Sequence, residues 1–300
     1  MKKKILIIGG TGFIGQNLIR KIKSFNFQIF SISKKKSLPK NKVNITYKSI
    51  DITNKKKLDK LNKIKFNFVI NLGGNIDHQN PKETLRAHYF GLKNLLNNLN
   101  FENLDLFIQI GSSLEYGFSK SPQKENRLCK PKSSYGKAKL KATNYLIQKY
   151  SLKKIRFVVL RPYQIYGPFQ KFDRLIPQVI NSCLKDKTFD CTEGDQKRDF
   201  LFVEDFVTLI LKILNKKKTI SGIYNVGFGK PVKVKDVVKQ IRKIIKSGYP
   251  DFGKIKMRKD EGMSLYPKIK KVKKHFNWYP KTSLTTGIKK TIKYYKHAAR

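Results

Sequence analysis

Along the first half of the chain, short apolar runs alternate with longer stretches whose apolar residues recur every three to four positions. KKILIIGG (3–10) reads as a strand entering TGFIGQNLIRKIKSF, where Phe13, Ile14, Leu18, Ile19 and Ile22 keep a helical spacing. FQIFSIS, NITYKSI and NFVINLGG read as the second, third and fourth strands, and one long helix is predicted over roughly Pro81 to Leu99. LDLFIQIGSS is the fifth strand, SYGKAKLKATNYLIQKY a helix and KIRFVVLRP the sixth strand. Strands alternating with helices predict an α/β fold, a Rossmann-type doubly wound parallel sheet covered on both faces. After about Gly167 the alternation weakens. RLIPQVINSCL, VEDFVTLILKIL and VKDVVKQIRKII, with brief strands between them, predict a smaller C-terminal lobe. The expected division is 1–167 for the sheet domain and 168–300 for the lobe, with interleaved segments.

Composition narrows the class. The chain has 300 residues, 39% of them hydrophobic, with 20 Phe and 14 Tyr, enough for a sizeable core. No apolar run reaches the roughly 20 residues of a membrane-spanning helix, so no membrane insertion is expected. The opening MKKKILIIGG runs into glycines instead of a small-residue cleavage site, which points to a cytoplasmic address. Cys129, Cys183 and Cys191 are odd in number and scattered, and the four histidines are dispersed, so neither a disulfide framework nor a metal site is expected. The net charge is +46, from 66 Lys and Arg against 20 Asp and Glu. Such a charge suits a polyanionic partner, but these residues are diffuse and no nucleic-acid motif accompanies them. They read as a solvated surface with no specific nucleic-acid partner, one that still attracts a doubly negative small substrate.

GGTGFIG places Gly9, Gly12 and Gly15 in a G-x-x-G-x-x-G arrangement between a strand and a helix. Gly9 and Gly12 are expected to shape a tight turn whose backbone approaches a pyrophosphate, and Gly15 to let the helix pack closely on the strand. The helix N-terminus, opening at Phe13 and Ile14, stabilises the anion. An NAD site usually carries a carboxylate at the end of the second strand for the ribose 2′-OH. Here that strand ends Ser31, Ile32, Ser33, Lys34, Lys35, Lys36, and the first acidic residue of the chain is Asp51. Hydroxyls and an ammonium would accept a 2′-phosphate, so NADP(H) is favoured over NAD.

In SSYGKAKLK, Lys139 follows Tyr135 by four residues, one helical turn away on the same face. A neighbouring ammonium favours the phenolate and prepares the phenol to exchange a proton. The same spacing occurs at Tyr89/Lys93, Tyr116/Lys120, Tyr145/Lys149, Tyr150/Lys154 and Tyr266/Lys270, so spacing alone does not select the catalytic pair.

With GGTGFIG, the Tyr135/Lys139 helix and LRPYQIYGP (160–168), the chain resembles the extended short-chain dehydrogenases/reductases, and more narrowly the nucleotide-sugar epimerases, dehydratases and reductases. GDQKRDFLFVEDFV and HFNWYPKTSLTTGIKKTIKYY match the family's later segments. The resemblance implies that Tyr135 is the proton donor or acceptor. Lys139 holds the nicotinamide ribose, and Ser112 hydrogen-bonds the reacting oxygen with Ser113 beside it. It puts Asp51 and Ile52 beside the adenine and Leu72, Gly73 and Gly74 in a turn against the cofactor. Arg198, with Arg258 as a second arm, grips the diphosphate of a nucleotide-diphosphate sugar, and Gln164 stands in the place of a substrate-binding asparagine. His88 replaces a common asparagine and is read as structural. Asp199 and Asp205 are read as tying the lobe to the main domain. No role is assigned to Asp77 or His78. Dehydratases carry an Asp-Glu pair after the position of Ser112. Ser113 and Leu114 stand there, and leucine moves no proton, so dehydration is not expected. The CTEGDQKRDFLFVEDF stretch is similar to CDP-abequose synthase-like reductases. The expected activity is an NADPH-dependent 4-keto-6-deoxyhexose nucleotide reductase of surface-polysaccharide synthesis, acting as a homodimer. The alternatives are a 4-epimerase with bound NAD and a non-catalytic or nucleic-acid-binding relative.

Overall fold

A computed structural model describes residues 2–74, 80–153, 155–257 and 261–298. Six strands, β1 (Lys3–Ile8), β2 (Phe27–Ser33), β3 (Ile45–Ser49), β4 (Phe68–Asn71), β5 (Leu106–Ile110) and β6 (Arg156–Pro162), join one seven-stranded sheet. Its order runs from the strand Gly222–Val226 through β6, β5, β4, β1 and β2 to β3. The pairings among β1 to β6 are all parallel. The order reverses between β1 and β4, and there the carboxyl ends of the strands leave the crevice in which such sheets bind ligands. Every residue of β4 and β5 is buried. Strands covered on both faces read as continuous apolar runs, which is why these two were legible.

Helices α1 (Phe13–Ile22), α2 (Lys55–Asn62), α3 (Pro81–Leu85), α4 (Gly91–Asn97) and α5 (Ser134–Lys153) belong with this sheet. Asn80 caps α3, its side chain accepting from the Glu83 N–H at 3.1 Å, with proline at the first helical position. The helix predicted over 81–99 is not continuous, because Arg86–Phe90 form a π turn between α3 and α4. Leu92, Leu95 and Leu96 of α4 and Leu146 of α5 pack on Leu6, Val69 and Phe107 in one core.

The chain divides into two compact units. The first comprises 1–119, 127–161 and 210–224, and the second 120–126, 162–209 and 225–300. The second unit has a core of its own, in which α6 (Leu175–Leu184), α8 (Val234–Ile245, after α7 at Val203–Asn215) and α10 (Leu284–Ala298, after α9 at Lys270–Phe276) bring together Ile180, Val237, Ile241 and Ile288. Its strands are short: Gln164–Tyr166 pairs with Phe200–Phe202, and Lys197–Arg198 lies between Val232–Lys233 and Ser264–Leu265. Among the described residues, no helix is long and apolar enough to cross a membrane.

Candidate active site

The turn after β1 is built for close backbone approach. Gly9 has φ +78°, a left-handed value, and a Cβ there would lie 3.1 Å from the Leu72 carbonyl in the turn after β4. Gly12 departs from expectation, since its φ of −82° and ψ of 180° are extended backbone open to any residue. Gly9 therefore makes the turn, and Gly12 caps α1. Gly15 is needed for proximity: a Cβ would meet the Gly9 carbonyl oxygen at 2.3 Å and Gly10 Cα at 2.5 Å. The first turn of α1, with Phe13 and Ile14, holds no acidic residue. Its N–H groups and positive dipole end are thus available to an anion, and the cradle fits a pyrophosphate.

At the end of β2, Ser31 is 1% exposed and Ser33 8%, whereas Lys34 is exposed. Ser31 belongs to the interior, so Ser33 and Lys34 are the pair that can meet a 2′-phosphate. Asp51 is half-buried and accepts from the Thr53 N–H at 2.9 Å. Ile52 is buried. In the turn after β4, the Asn71 side chain accepts from the Gly73 N–H at 3.1 Å and donates to Gln109 at 2.9 Å. The Gln109 amide in turn donates to the Ile110 carbonyl at 3.1 Å. This polar ladder across the ends of β4 and β5 was not anticipated.

Lys139 joins the same carbonyl, its Nζ donating to Ile110 O at 2.9 Å. Ser112 lies two residues beyond β5 and caps a 3₁₀ turn, Ser113–Tyr116. Its Oγ accepts from the Leu114 N–H at 3.1 Å. Helix α5 comes down onto that turn because Gly136 is bare: a Cβ would reach Leu114 O at 2.5 Å. Ser133 caps α5 by accepting from the Gly136 N–H at 3.1 Å. Turn and helix thereby bring Ser112, Ser113, Tyr135 and Lys139 into one region, with the Lys139 ammonium 5.7 Å from the centroid of the Tyr135 ring. His88, from the π turn, is 5% exposed and stands edge-on to Tyr135 at 5.0 Å between centroids. Tyr116 and Tyr150, which share the four-residue spacing to a lysine, are buried at 0% and 1%. Burial pulls the Lys139 ammonium down to about 8, against the Glu115 carboxylate that favours its charge.

The sequence reading overlooked a buried pair behind this site. Glu115 and Arg161 are 0% and 1% exposed. Glu115 Oε2 accepts from Arg161 Nε at 2.9 Å and Nη2 at 2.6 Å, while Oε1 accepts from the Ser112 N–H at 2.8 Å. Burial works against the Arg161 charge, but Glu115 and Tyr116 more than offset it and raise its pKa.

In the second unit, Gln164 opens the strand Gln164–Tyr166 and is exposed. Arg198 is 5% exposed and engaged, its Nη2 donating to Glu261 at 2.5 Å and its Nη1 to the Lys197 carbonyl at 2.8 Å. Arg258 lies outside the described residues, as do Asp77 and His78. Asp199 is fully buried and is hydrogen-bonded inside the second unit. It accepts from the Phe228 and Gly229 N–H groups, both at 2.6 Å, within the second unit. Burial pushes that carboxyl up to about 6 against these donors. Asp205 accepts from the Thr282 N–H at 2.9 Å, also within the second unit.

Residues 5–227 match the model of the NAD dependent epimerase/dehydratase family, and the chain belongs to that family. It is an NAD(P)-dependent enzyme of the extended short-chain dehydrogenase/reductase class that comprises nucleotide-sugar epimerases, dehydratases and reductases. Protein CapI of Staphylococcus aureus is 25% identical over 97% of this chain and 98% of its own. CDP-abequose synthase of Salmonella muenchen is 34% identical over 139 residues, 45% of this chain and 47% of that protein. The solved UDP-glucose 4-epimerase of Thermotoga maritima, with UDP-glucose, superposes with a TM-score of 0.91 over 99% of this chain and 100% of that one. At 22% identity, that likeness shows the fold.

Proposed function

We propose that the chain is an NADPH-dependent reductase of a 4-keto-6-deoxyhexose carried on a nucleoside diphosphate, working in surface-polysaccharide synthesis as a cytoplasmic homodimer. The observation that carries this reading is the end of β2, where Ser33 and the exposed Lys34 stand without a carboxylate. The stretch of CDP-abequose synthase at 34% identity supports it. In this reading Phe13, Ile14 and the glycine turn hold the pyrophosphate, Asp51 and Ile52 flank the adenine, and Leu72, Gly73 and Gly74 line the cofactor. Once bound, the dinucleotide supplies the hydride. Tyr135 gives its proton to the sugar's carbonyl oxygen, to which Ser112 donates a hydrogen bond. Lys139 lowers the tyrosine pKa and holds the ribose. Ser113, Gln164, Arg198 and Arg258 are assigned to the nucleotide sugar, the arginines to its diphosphate. Leu114 still argues against dehydration.

A 4-epimerase with tightly held NAD uses the same Ser112, Tyr135 and Lys139 and is the second reading. The two part on cofactor behaviour. Denaturing the purified protein and identifying any released nucleotide, then titrating NADPH and NADH at two ionic strengths, decides between them. The reductase releases little or nothing and prefers NADPH, by a margin that shrinks with salt because the charges at Lys34 are exposed. NAD locked in the purified protein, or tighter NADH binding, overturns the reductase and selects the epimerase.

A further inference from the structure

We propose that Glu115, anchored by Arg161, is a positioning residue that fixes the backbone of Ser112 and sets a buried carboxylate beside Lys139. The inference rests on reading Ser112, Tyr135 and Lys139 as the catalytic set. A buried carboxylate serving Arg161 alone would offer both oxygens to the guanidinium fork. Here the oxygens are divided, and Arg161 takes Oε2 twice while Oε1 is spent on the Ser112 N–H. Gly111 lets this happen, since a Cβ there would lie 2.6 Å from Oε1 and 3.2 Å from Arg161 Cγ. Three consecutive backbone residues are thus gripped from two sides. Lys139 holds the carbonyl of Ile110 and Glu115 the N–H of Ser112, with the bare Gly111 between them.

The charges point the same way. Lys139 and Glu115 are both buried and bond backbone groups only two residues apart, the Ile110 carbonyl and the Ser112 N–H, and at such range the carboxylate opposes the desolvation that would discharge the lysine. Arg161 pairs with that carboxylate through two hydrogen bonds. Among the described residues, the other titratable groups placed around the set are Tyr135 on the lysine's own helix, His88 edge-on to Tyr135, and Tyr116 and Cys129 beside Arg161. Two buried cations against one buried anion leave the site one positive charge in excess, which suits a phenolate forming at Tyr135.

The test reads Lys139 directly in the ligand-free protein, so its result does not depend on which substrate or cofactor the enzyme uses. Lysine 15Nζ signals are followed by NMR against pH, with Lys139 assigned by its loss in Lys139→Met. In Glu115→Gln, an amide oxygen can still accept from Ser112 but the charge is gone. Loss of an opposite charge at close range moves a pKa by about one unit or more, so Lys139 should discharge about one pH unit lower than in wild type. At a pH between the two midpoints, its charged fraction then falls several-fold. If Glu115→Gln does not fold for want of a partner for Arg161, Glu115→Asp keeps the guanidinium paired while drawing the carboxylate back from Ser112 and Lys139, and should move the titration in the same direction by a smaller amount. A Lys139 titration unchanged in the folded variant overturns the proposal and leaves Glu115 a packing residue. Failure of the catalytic reading itself would show elsewhere, as normal turnover in a Tyr135 variant.

Discussion

Replacing Gly15 with alanine tests the dinucleotide cradle, because the structure supplies both the displacement and a control. The added Cβ would lie 2.3 Å from Gly9 O, whereas ordinary contact begins at 3.4 Å, so strand and helix must separate by about 1.1 Å. The obstacles are backbone atoms of Gly9 and Gly10, and no flexible side chain can yield. Overpacking of this kind costs about 1–3 kcal/mol, here toward the upper end, while alanine regains about 1 kcal/mol of helix propensity. A net loss of about 2 kcal/mol is expected. Moving the first turn of α1 by about 1 Å also lengthens its hydrogen bonds to a pyrophosphate. Loss of one charge-assisted bond, about 1.5–3 kcal/mol, weakens cofactor binding roughly 10- to 100-fold. Urea unfolding measures the first quantity and calorimetric titration with NADPH and NADH the second. Gly12→Ala is the control. Its backbone is extended and its added Cβ meets only Gly9 O, at 3.2 Å, so stability should stay within about 1 kcal/mol. Wild-type stability and affinity in Gly15→Ala, or equal destabilisation in Gly12→Ala, would refute the reasoning.

Tyr135→Phe should cut turnover by about 10²–10⁴-fold with cofactor affinity kept, since the proton is lost and the ring remains; near-normal kcat would remove Tyr135 from the chemistry. Ser33→Asp should reverse the preference for NADPH over NADH in competitive titrations by repelling a 2′-phosphate, whereas Ser31→Asp buries a carboxylate and should lower the unfolding midpoint instead. A Ser33→Asp protein that still prefers NADPH would place the phosphate elsewhere. Arg198→Ala should raise the KM for the nucleotide sugar roughly 10- to 100-fold, the equivalent of one charge-assisted contact, and leave NADPH binding alone. The reverse pattern would assign the arginine to the cofactor.

The sheet was legible because its central strands β4 and β5 are buried along their whole length, and short, mostly apolar runs such as FVIN and LFIQI have few other readings. The π turn was not. Leu85, Leu92, Leu95, Leu96 and Leu99 keep a stripe that one continuous helix would also produce, and one extra residue in a turn leaves no mark in it. Glu115 stands as Ser112-x-x-Glu115, the signature of a reciprocal cap, a local signal for the bond to Ser112 that carries no mark of Arg161, 46 residues away. Arg161 and Gln109 interrupt apolar strands, a sign of buried polar work that the strand assignments passed over. Arg198 was picked out, but its bond to Glu261 joins residues 63 apart. No local spacing encodes a contact of that range, and the two-residue strands around Arg198 are equally silent.

The π turn at Arg86–Phe90 carries a consequence of a genetic kind. Such a turn holds one residue more than the α turn it replaces, so the helix from Pro81 to Asn97 contains a single residue of slack at one known place. Loss of one codon within 86–90 would leave enough chain to cross the same rise as ordinary α-helix. The same loss within Gly91–Asn97 would turn the buried leucines about 100° away from the core. His88 occupies the slack itself, against Tyr135. A one-residue deletion can therefore change which side chain faces the tyrosine while the leucines that hold the helix down keep their register.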